Sequence, residues 1–217
     1  MQRPYTRAVP TPGPAEVLVP VKAFHQAKAR LSPVLDGAER AALARSMAAR
    51  VLAAAAPLQV RVVCDDEQVA TWAREQGAGV EWTPGLGLNG AVQEATARAS
   101  ARGVERVIVT HADLPFAEHL APLGDAADDE AVVVSDRRGT GTNVLSVPTT
   151  AGFTFAYGVG SLRRHLDEAR RCGLRVRRSD SEHLGWDVDE PEDLDVPEHL
   201  ARGSALVLGG RLYGPPT

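Results

Sequence analysis

The stretch "ERVIVTHADLP", Glu105 to Pro115, decides the fold. Its apolar run reads as a buried strand that breaks into a loop at Asp113, Leu114 and Pro115, so one carboxylate is delivered to the strand's end and the chain turns sharply after it. The same sequence of apolar strand and polar turn recurs on both sides. "VLVPV" (17–21), "QVRVVC" (59–64) and "GVEW" (79–82) precede it as strands, and helical patterns separate them over 38–56, opened by Asp36, and over 67–76. A third helix is expected from about Ala91 to Ala101. "EAVVVSD" follows as a strand, and "NVLSVP" with "FTFAYG" predicts two more that pair as a small β-insertion. "SLRRHLDEARRCG" is an amphipathic helix, "LRVRRSD" and "HLGWDVD" are late strands, and "PEDLDVPEHLARG" is the closing helix. Strands alternating with helices predict an α/β fold with a mainly parallel sheet and helices on both faces. Such sheets bind ligands outside the carboxyl ends of their strands, which directs the search for chemistry to the loops after Val21, Cys64, Trp82, Thr110 and Trp186.

Length and charge narrow the function classes. At 217 residues and 44% hydrophobic content, one substantial core and one domain are expected, over residues 16–202. Residues 1–15, with four prolines, read as a flexible leader, and 203–217 as a tail. A net charge of −4 gives no global reason to expect nucleic acid or an anionic membrane as partner. No segment approaches the apolar length of a membrane span, no secretory signal is visible, and a cytoplasmic location is expected. Cys64 and Cys172 lack metal-type spacing and read as reduced packing residues. Of 24 basic residues only Lys22 and Lys28 are lysine, both in "VKAFHQAKAR", which invites a chemical reason for that loop.

Four motifs carry candidate chemistry. Lys22, Lys28 and Arg30 follow the first strand, where they either form a solvated basic loop or hold a polyphosphate through charge-assisted hydrogen bonds. "GLGLNG", Gly85 to Gly90, is a literal dinucleotide-binding pattern, but it follows the third strand, is entered through Pro84, and reads equally as a plain turn. It reads also as a loop closing over a nucleotide base or ribose, with Gly87 and Asn89 at the nucleotide. No P-loop pattern occurs. "GWDVDEPEDL", Gly185 to Leu194, holds five carboxylates, of which Glu190, Glu192 and Asp193 suit a helix start behind Pro191. Asp187 and Asp189, two apart in an extended segment, share a face and can join Asp113 around a hard cation such as Mg²⁺. "GTGTN" and "YGVGSLRRH" bring glycines and hydroxyls together, with Ser161 as an ordinary helix cap, as part of an anion site, or as both.

"PVKAFHQAKARL", "GLNGAV", "HADLP", "GTGTNVL", "YGVGS…H" and "DVDEPEDL", in that order, resemble the guanylyltransferases that make the phosphoenolpyruvyl or 2-phospholactyl guanosine diphosphate precursor of coenzyme F(420). The match runs from about Val19 to Leu194. The resemblance implies a nucleotide-diphospho-sugar-transferase-like, Rossmann-like fold and GMP transfer from GTP to a phosphorylated three-carbon acid. It implies that Thr142, Gly158 and Ser161 bind that acid, and that Asp113, Asp187 and Asp189 hold Mg²⁺. Asp113, Asp187, Asp189 and Lys22 are then the expected catalytic set, and Lys22, Lys28, Arg30, Gly87 and Asn89 the nucleotide-binding one. Two positions depart from the family pattern: His111 stands where an apolar residue is usual, and Tyr157 where phenylalanine is. Phosphoenolpyruvate is the preferred acceptor and 2-phospho-L-lactate the alternative; a homodimer is a candidate assembly. A sugar-phosphate or molybdopterin nucleotidyltransferase and an NAD-dependent oxidoreductase are the rival functions.

Overall fold

The computed structural model describes residues 15–201, together with the backbone of Leu206–Leu208 and Arg211–Tyr213. The leader and most of the tail expected from the sequence lie outside the described residues, apart from Ala15, which opens the first strand. Seven strands form the main sheet: β1 (Ala15–Pro20), β2 (Gln59–Cys64), β3 (Gly79–Trp82), β4 (Arg106–Thr110), β5 (Glu130–Ser135), β6 (Thr142–Pro148) and β7 (Arg175–Arg178). Their order is β3-β2-β1-β4-β6-β5-β7, all parallel except β6, which runs antiparallel to both neighbours.

The strand pattern forces helices onto both faces. Successive side chains of β1 point to opposite sides, so Val17 and Val19 pack beneath α1 (Gly37–Ala54) and α2 (Glu67–Glu75) while Leu18 packs against α3 (Gly87–Ala101). All three are fully buried, each contributing roughly 1.5–3 kcal/mol through removal from water. Helix α1 starts where the sequence says it must. The Asp36 side chain accepts from the Glu39 amide at 2.9 Å, and Glu39 accepts in return from the Asp36 amide at 2.7 Å. Helix α4 (Ser161–Arg171) covers the sheet beyond β4.

The chain winds outward from β1 through β2 to β3, then crosses to the other side of β1 to form β4. The strand order therefore reverses between β1 and β4. The loops leaving their carboxyl ends diverge there and open a crevice. Because β6 is antiparallel, its first residue, Thr142, lies at the same edge of the sheet, paired with Ser135 at the end of β5.

Four local expectations are corrected. The β-insertion does not form: "NVLSVP" is β6 within the main sheet, and residues 152–157 carry no strand, their backbone groups being taken by side chains such as Asn89 and Gln93. Helix α3 starts at Gly87, not near Ala91, so the last four residues of "GLGLNG" are its first turn. "HLGWDVD" is no strand; a short helix, α5 (Glu182–Gly185), is capped by the Ser181 side chain and leads into an extended segment outside the sheet. The closing helix is interrupted: Pro191–Leu194 form a 3₁₀ turn and Pro197 precedes α6 (Glu198–Ala201).

Candidate active site

The loop after β1 wraps back over the crevice. Lys28 adopts a left-handed backbone (φ 54°), a conformation costly for a residue with a side chain, and it aims its ammonium between two carboxylates. Lys28 Nζ donates to Asp113 Oδ2 at 2.5 Å and to Asp189 Oδ1 at 2.9 Å, joining the loops that follow β1 and β4 to the 187–190 segment. Burial lowers the Lys28 pKa, but the charges of Asp113 and Asp189 outweigh it and leave it raised. Asp113 shows the converse: burial raises its pKa, and Lys28 and His111 overcome this and hold it below the usual carboxylate range. Arg30 Nη1 donates to Glu190 Oε1 at 3.3 Å on the exposed rim.

A cavity of about 420 Å³ opens beside this bridge, lined by Lys22, Lys28, Arg30, His111, Asp113 and Asp189 among others. Lys22 is exposed and makes no ion pair with the described residues. A smaller recess of about 90 Å³ adjoins it at Lys22 and Leu88, with Gly87 and Thr83 in its wall. Gly87 has φ 62°, which glycine alone adopts without strain. Asn89 reaches neither space. Its amide is committed instead, accepting from the Tyr157 amide at 2.7 Å and donating to the Tyr157 carbonyl at 3.3 Å, so it clamps the 152–157 segment to α3.

Asp187 is the electrostatic outlier. Burial, with the charges of Asp113 and Asp189, pushes its carboxyl up to about 6, and its Oδ1 is buried without a hydrogen-bond partner. Asp113 Oδ1 is in the same position. Among the described residues no group of three or more His, Cys, Asp and Glu side chains stands preformed as a metal-binding set; the Lys28 ammonium lies between two of the three aspartates. The raised Asp187, its Oδ1 buried without a hydrogen bond, marks a carboxylate still short of positive charge beside Asp113 and Asp189, and such a site suits a hard cation with oxygen ligands.

The segment carrying Asp187 and Asp189 is held by residues with no place in the sequence-derived site. The Asn143 amide donates to the carbonyls of Leu184 and Gly185 at 3.0 and 3.1 Å, and the Val188 amide donates to the Asp113 carbonyl at 3.2 Å. Asp193, expected to serve a helix start, is fully buried; its Oδ2 accepts from the amides of Asp189 and Glu190 at 2.7 and 2.8 Å, and its Oδ1 from Arg137 and Arg138. Burial raises the Asp193 pKa, and those two amides with Arg137 outweigh it and leave it lowered. Arg137 also stacks over Trp186, 4.6 Å from the ring centre. A buried acid with four donors has no distinctive sequence signal, but "DRRGTGTN" supplies the arginines directly before a motif already marked.

One strand further along, Thr142, Gly158 and Ser161 meet at the start of β6 and α4. The Thr142 amide donates to Ser161 Oγ at 3.0 Å, and the Ser161 amide donates to the Gly158 carbonyl at 3.0 Å. Gly158 and Gly160 have φ of 117° and 71°, so the turn between them needs glycine at both places. Behind Thr142 lies His165, fully buried, its Nδ1 3.0 Å from Thr142 Oγ1.

Thus Lys22, Lys28, Arg30, Asp113 and Asp189 share one cavity, Asp187 is coupled to them by charge, Thr142, Gly158 and Ser161 form a second cluster, and Asn89 is structural. Among the described residues no helix is long and apolar enough to cross a membrane.

Residues 15–204 match the family described as "Guanylyl transferase CofC like". The chain is 38% identical over 184 residues to the phosphoenolpyruvate guanylyltransferase of Rubrobacter xylanophilus, covering 82% of this chain and 90% of that one. It is 36% identical over 182 residues to the 2-phospho-L-lactate guanylyltransferase of Methanothermobacter thermautotrophicus, covering 82% and 81%. Among solved structures it resembles a putative nucleotide-diphospho-sugar transferase of Desulfovibrio desulfuricans G20, with a TM-score of 0.67, 20% identity, and 84% and 85% of the two chains covered.

Proposed function

This chain belongs to the family of CofC-like guanylyl transferases, and from that premise we propose that it transfers GMP from GTP to the phosphate of phosphoenolpyruvate. The products are enolpyruvoyl-2-diphospho-5'-guanosine and pyrophosphate, in the biosynthesis of coenzyme F(420). A phosphate oxygen of the acid attacks the α-phosphorus of GTP, a new P–O–P bond forms, and the bond to the β-phosphate breaks with its electron pair leaving on pyrophosphate. The acceptor is already ionised at neutral pH, so the protein need supply neither a covalent nucleophile nor a general base. Alignment and charge neutralisation suffice.

The observation that carries this assignment is the placement of Lys22, Lys28 and Arg30 against Asp113 and Asp189 in the crevice where the strand order reverses. Lys22, Lys28 and Arg30 face the triphosphate, Lys22 with no described acid to neutralise it and Lys28 and Arg30 paired with Asp113, Asp189 and Glu190, and Gly87 leaves room for close approach of the nucleotide at the adjoining recess. Thr142, Gly158 and Ser161 hold the three-carbon acid. Asp113, Asp187 and Asp189 would hold Mg²⁺, which when bound supplies further charge neutralisation between the two substrates. The enzyme's substrates are then cytoplasmic small molecules, with neither nucleic acid nor membrane as partner and with a homodimer as a candidate assembly.

The name of the Rubrobacter relative supports phosphoenolpyruvate as acceptor, and that of the Methanothermobacter relative keeps 2-phospho-L-lactate as the second reading. Mass spectrometry of the products formed with each acid, GTP and Mg²⁺ separates them. Guanylylated phosphoenolpyruvate is expected. Exclusive use of phospholactate reverses the acceptor, and equal turnover of ATP and GTP overturns the guanine preference.

A further inference from the structure

The hydrogen-bond chain behind Thr142 fixes which partner donates at every link. The Ala156 amide donates to His165 Nε2 at 3.0 Å; a backbone N–H can only donate, so Nε2 carries a lone pair and the neutral ring keeps its hydrogen on Nδ1. Nδ1–H then donates to Thr142 Oγ1 at 3.0 Å. Ser161 Oγ likewise accepts, from the Thr142 amide at 3.0 Å. Both hydroxyls thus spend a lone pair on a protein donor, and neither has an acceptor for its own hydrogen among the described residues.

We propose that His165 is a positioning residue: by donating from Nδ1 to Thr142 Oγ1 it turns the Thr142 hydroxyl hydrogen away from the ring and leaves it free to donate, so that with Ser161 it makes a two-donor cradle for an anionic oxygen of the phosphorylated acid. This rests on Thr142 and Ser161 binding that acid. The imidazole is well fixed for the role. Tyr157 meets it edge-on at 4.7 Å between ring centres, Phe153 lies 5.9 Å away, and the residue is fully buried. Burial, with Arg164 and His111, pushes its pKa down to about 4 against the opposing charge of Glu168, so the ring is neutral near pH 7. An imidazolium would offer two donors and oppose the Ala156 amide. His165 is therefore kept as one tautomer and takes no proton from the reaction.

Two measurements on the whole chain test this. Nitrogen-15 NMR of the imidazoles in the unaltered protein should show His165 protonated at Nδ1, bare at Nε2 and unchanged between pH 5.5 and 8; a hydrogen on Nε2 overturns the proposal. Kinetics then distinguish positioning from mere packing. His165→Asn places an amide nitrogen where Nδ1 was and keeps the link to Thr142, whereas His165→Gln reaches the Ala156 amide and loses it. Thr142→Val and His165→Gln should each raise KM for the acid roughly tenfold or more, the loss of one hydrogen bond to a charged group, with KM for GTP within about twofold. His165→Asn should stay within about threefold of the unaltered enzyme for the acid. Equal defects in His165→Asn and His165→Gln, or an intact His165→Gln beside an impaired Thr142→Val, sink the positioning role alone. An unimpaired Thr142→Val removes Thr142 from the acid site and the proposal with it.

Discussion

At the scale of single residues, Asp187 departs from what carboxylates usually do. Its folded-state pKa is raised, to about 6, above an unfolded value near 3.9, so its protonated form supports the fold and that support fades as pH rises through 6. Without metal, Asp187→Asn should match the unaltered protein in stability near pH 4 and exceed it at pH 7 by at most about 3 kcal/mol. Turnover should fall by orders of magnitude in the same variant on the proposal that Asp187 holds Mg²⁺, because a neutral amide oxygen is a weaker ligand for a hard cation than a carboxylate. Melting temperatures at both pH values and a turnover assay check this; a variant that melts no higher at pH 7 and retains turnover removes Asp187 from the charged cluster. Glu192, exposed on the 3₁₀ turn, is the contrasting case: Glu192→Gln should shift stability by no more than about 0.5 kcal/mol and leave turnover unchanged. Two carboxylates five positions apart in one motif thus have opposite fates, decided by burial and by neighbouring charge.

At the scale of elements, the extended segment bearing Asp187 and Asp189 belongs to no helix or strand, so its shape depends on Asp193 and Asn143. Asp193→Asn keeps the volume but turns one acceptor oxygen into a donor facing either the Asp189 and Glu190 amides or two arginines. It should lower turnover at least tenfold and cost roughly 1–3 kcal/mol in chemical unfolding. A variant with unaltered turnover would show that the segment holds its shape without this buried acid. The same segment marks where the sequence stops being legible. Strands β1 to β5 and the α1 cap could be read because apolar runs, period and capping residues act locally. "HLGWDVD" reads as a strand because Trp186 and Val188 are apolar and spaced by two, yet they face the Leu31, Met47 and Phe116 cluster without any strand beside them to pair with. "FTFAYG" misleads in the same way: its aromatic rings pack on the sheet while its backbone bonds to side chains. Asn89 looked free in the sequence because its partner is 68 residues away. The two departures from the family pattern, His111 and Tyr157, are neighbours in space, their ring centres 5.4 Å apart, which no local signal could reveal.

At the scale of the whole molecule, the reversal of strand order between β1 and β4 divides the site into two halves. The basic loop after β1 and the recess beside Gly87 lie on the β1–β3 side, whereas Thr142, Ser161 and His165 lie on the β6 and α4 side, with Asp113 at the seam. On the proposed reading this separation serves a transfer between two anions: each substrate would be held on its own side, and only the reacting phosphates would meet at the carboxylates. Charge confined to one half should therefore affect one substrate. Lys22→Ala removes a cation that no described acid neutralises, so the triphosphate loses an attraction while the acid loses none. KM for GTP should rise about five- to twentyfold and KM for the acid change less than twofold, because an exposed charge-assisted contact contributes roughly 1–2 kcal/mol. Steady-state kinetics with one substrate varied at saturating levels of the other measure both constants. The melting temperature should not move, since Lys22 makes no ion pair with the described residues, and this excludes a general loss of structure. A larger effect on the acid than on GTP would place the basic loop on the acceptor side and reverse the assignment of the two halves.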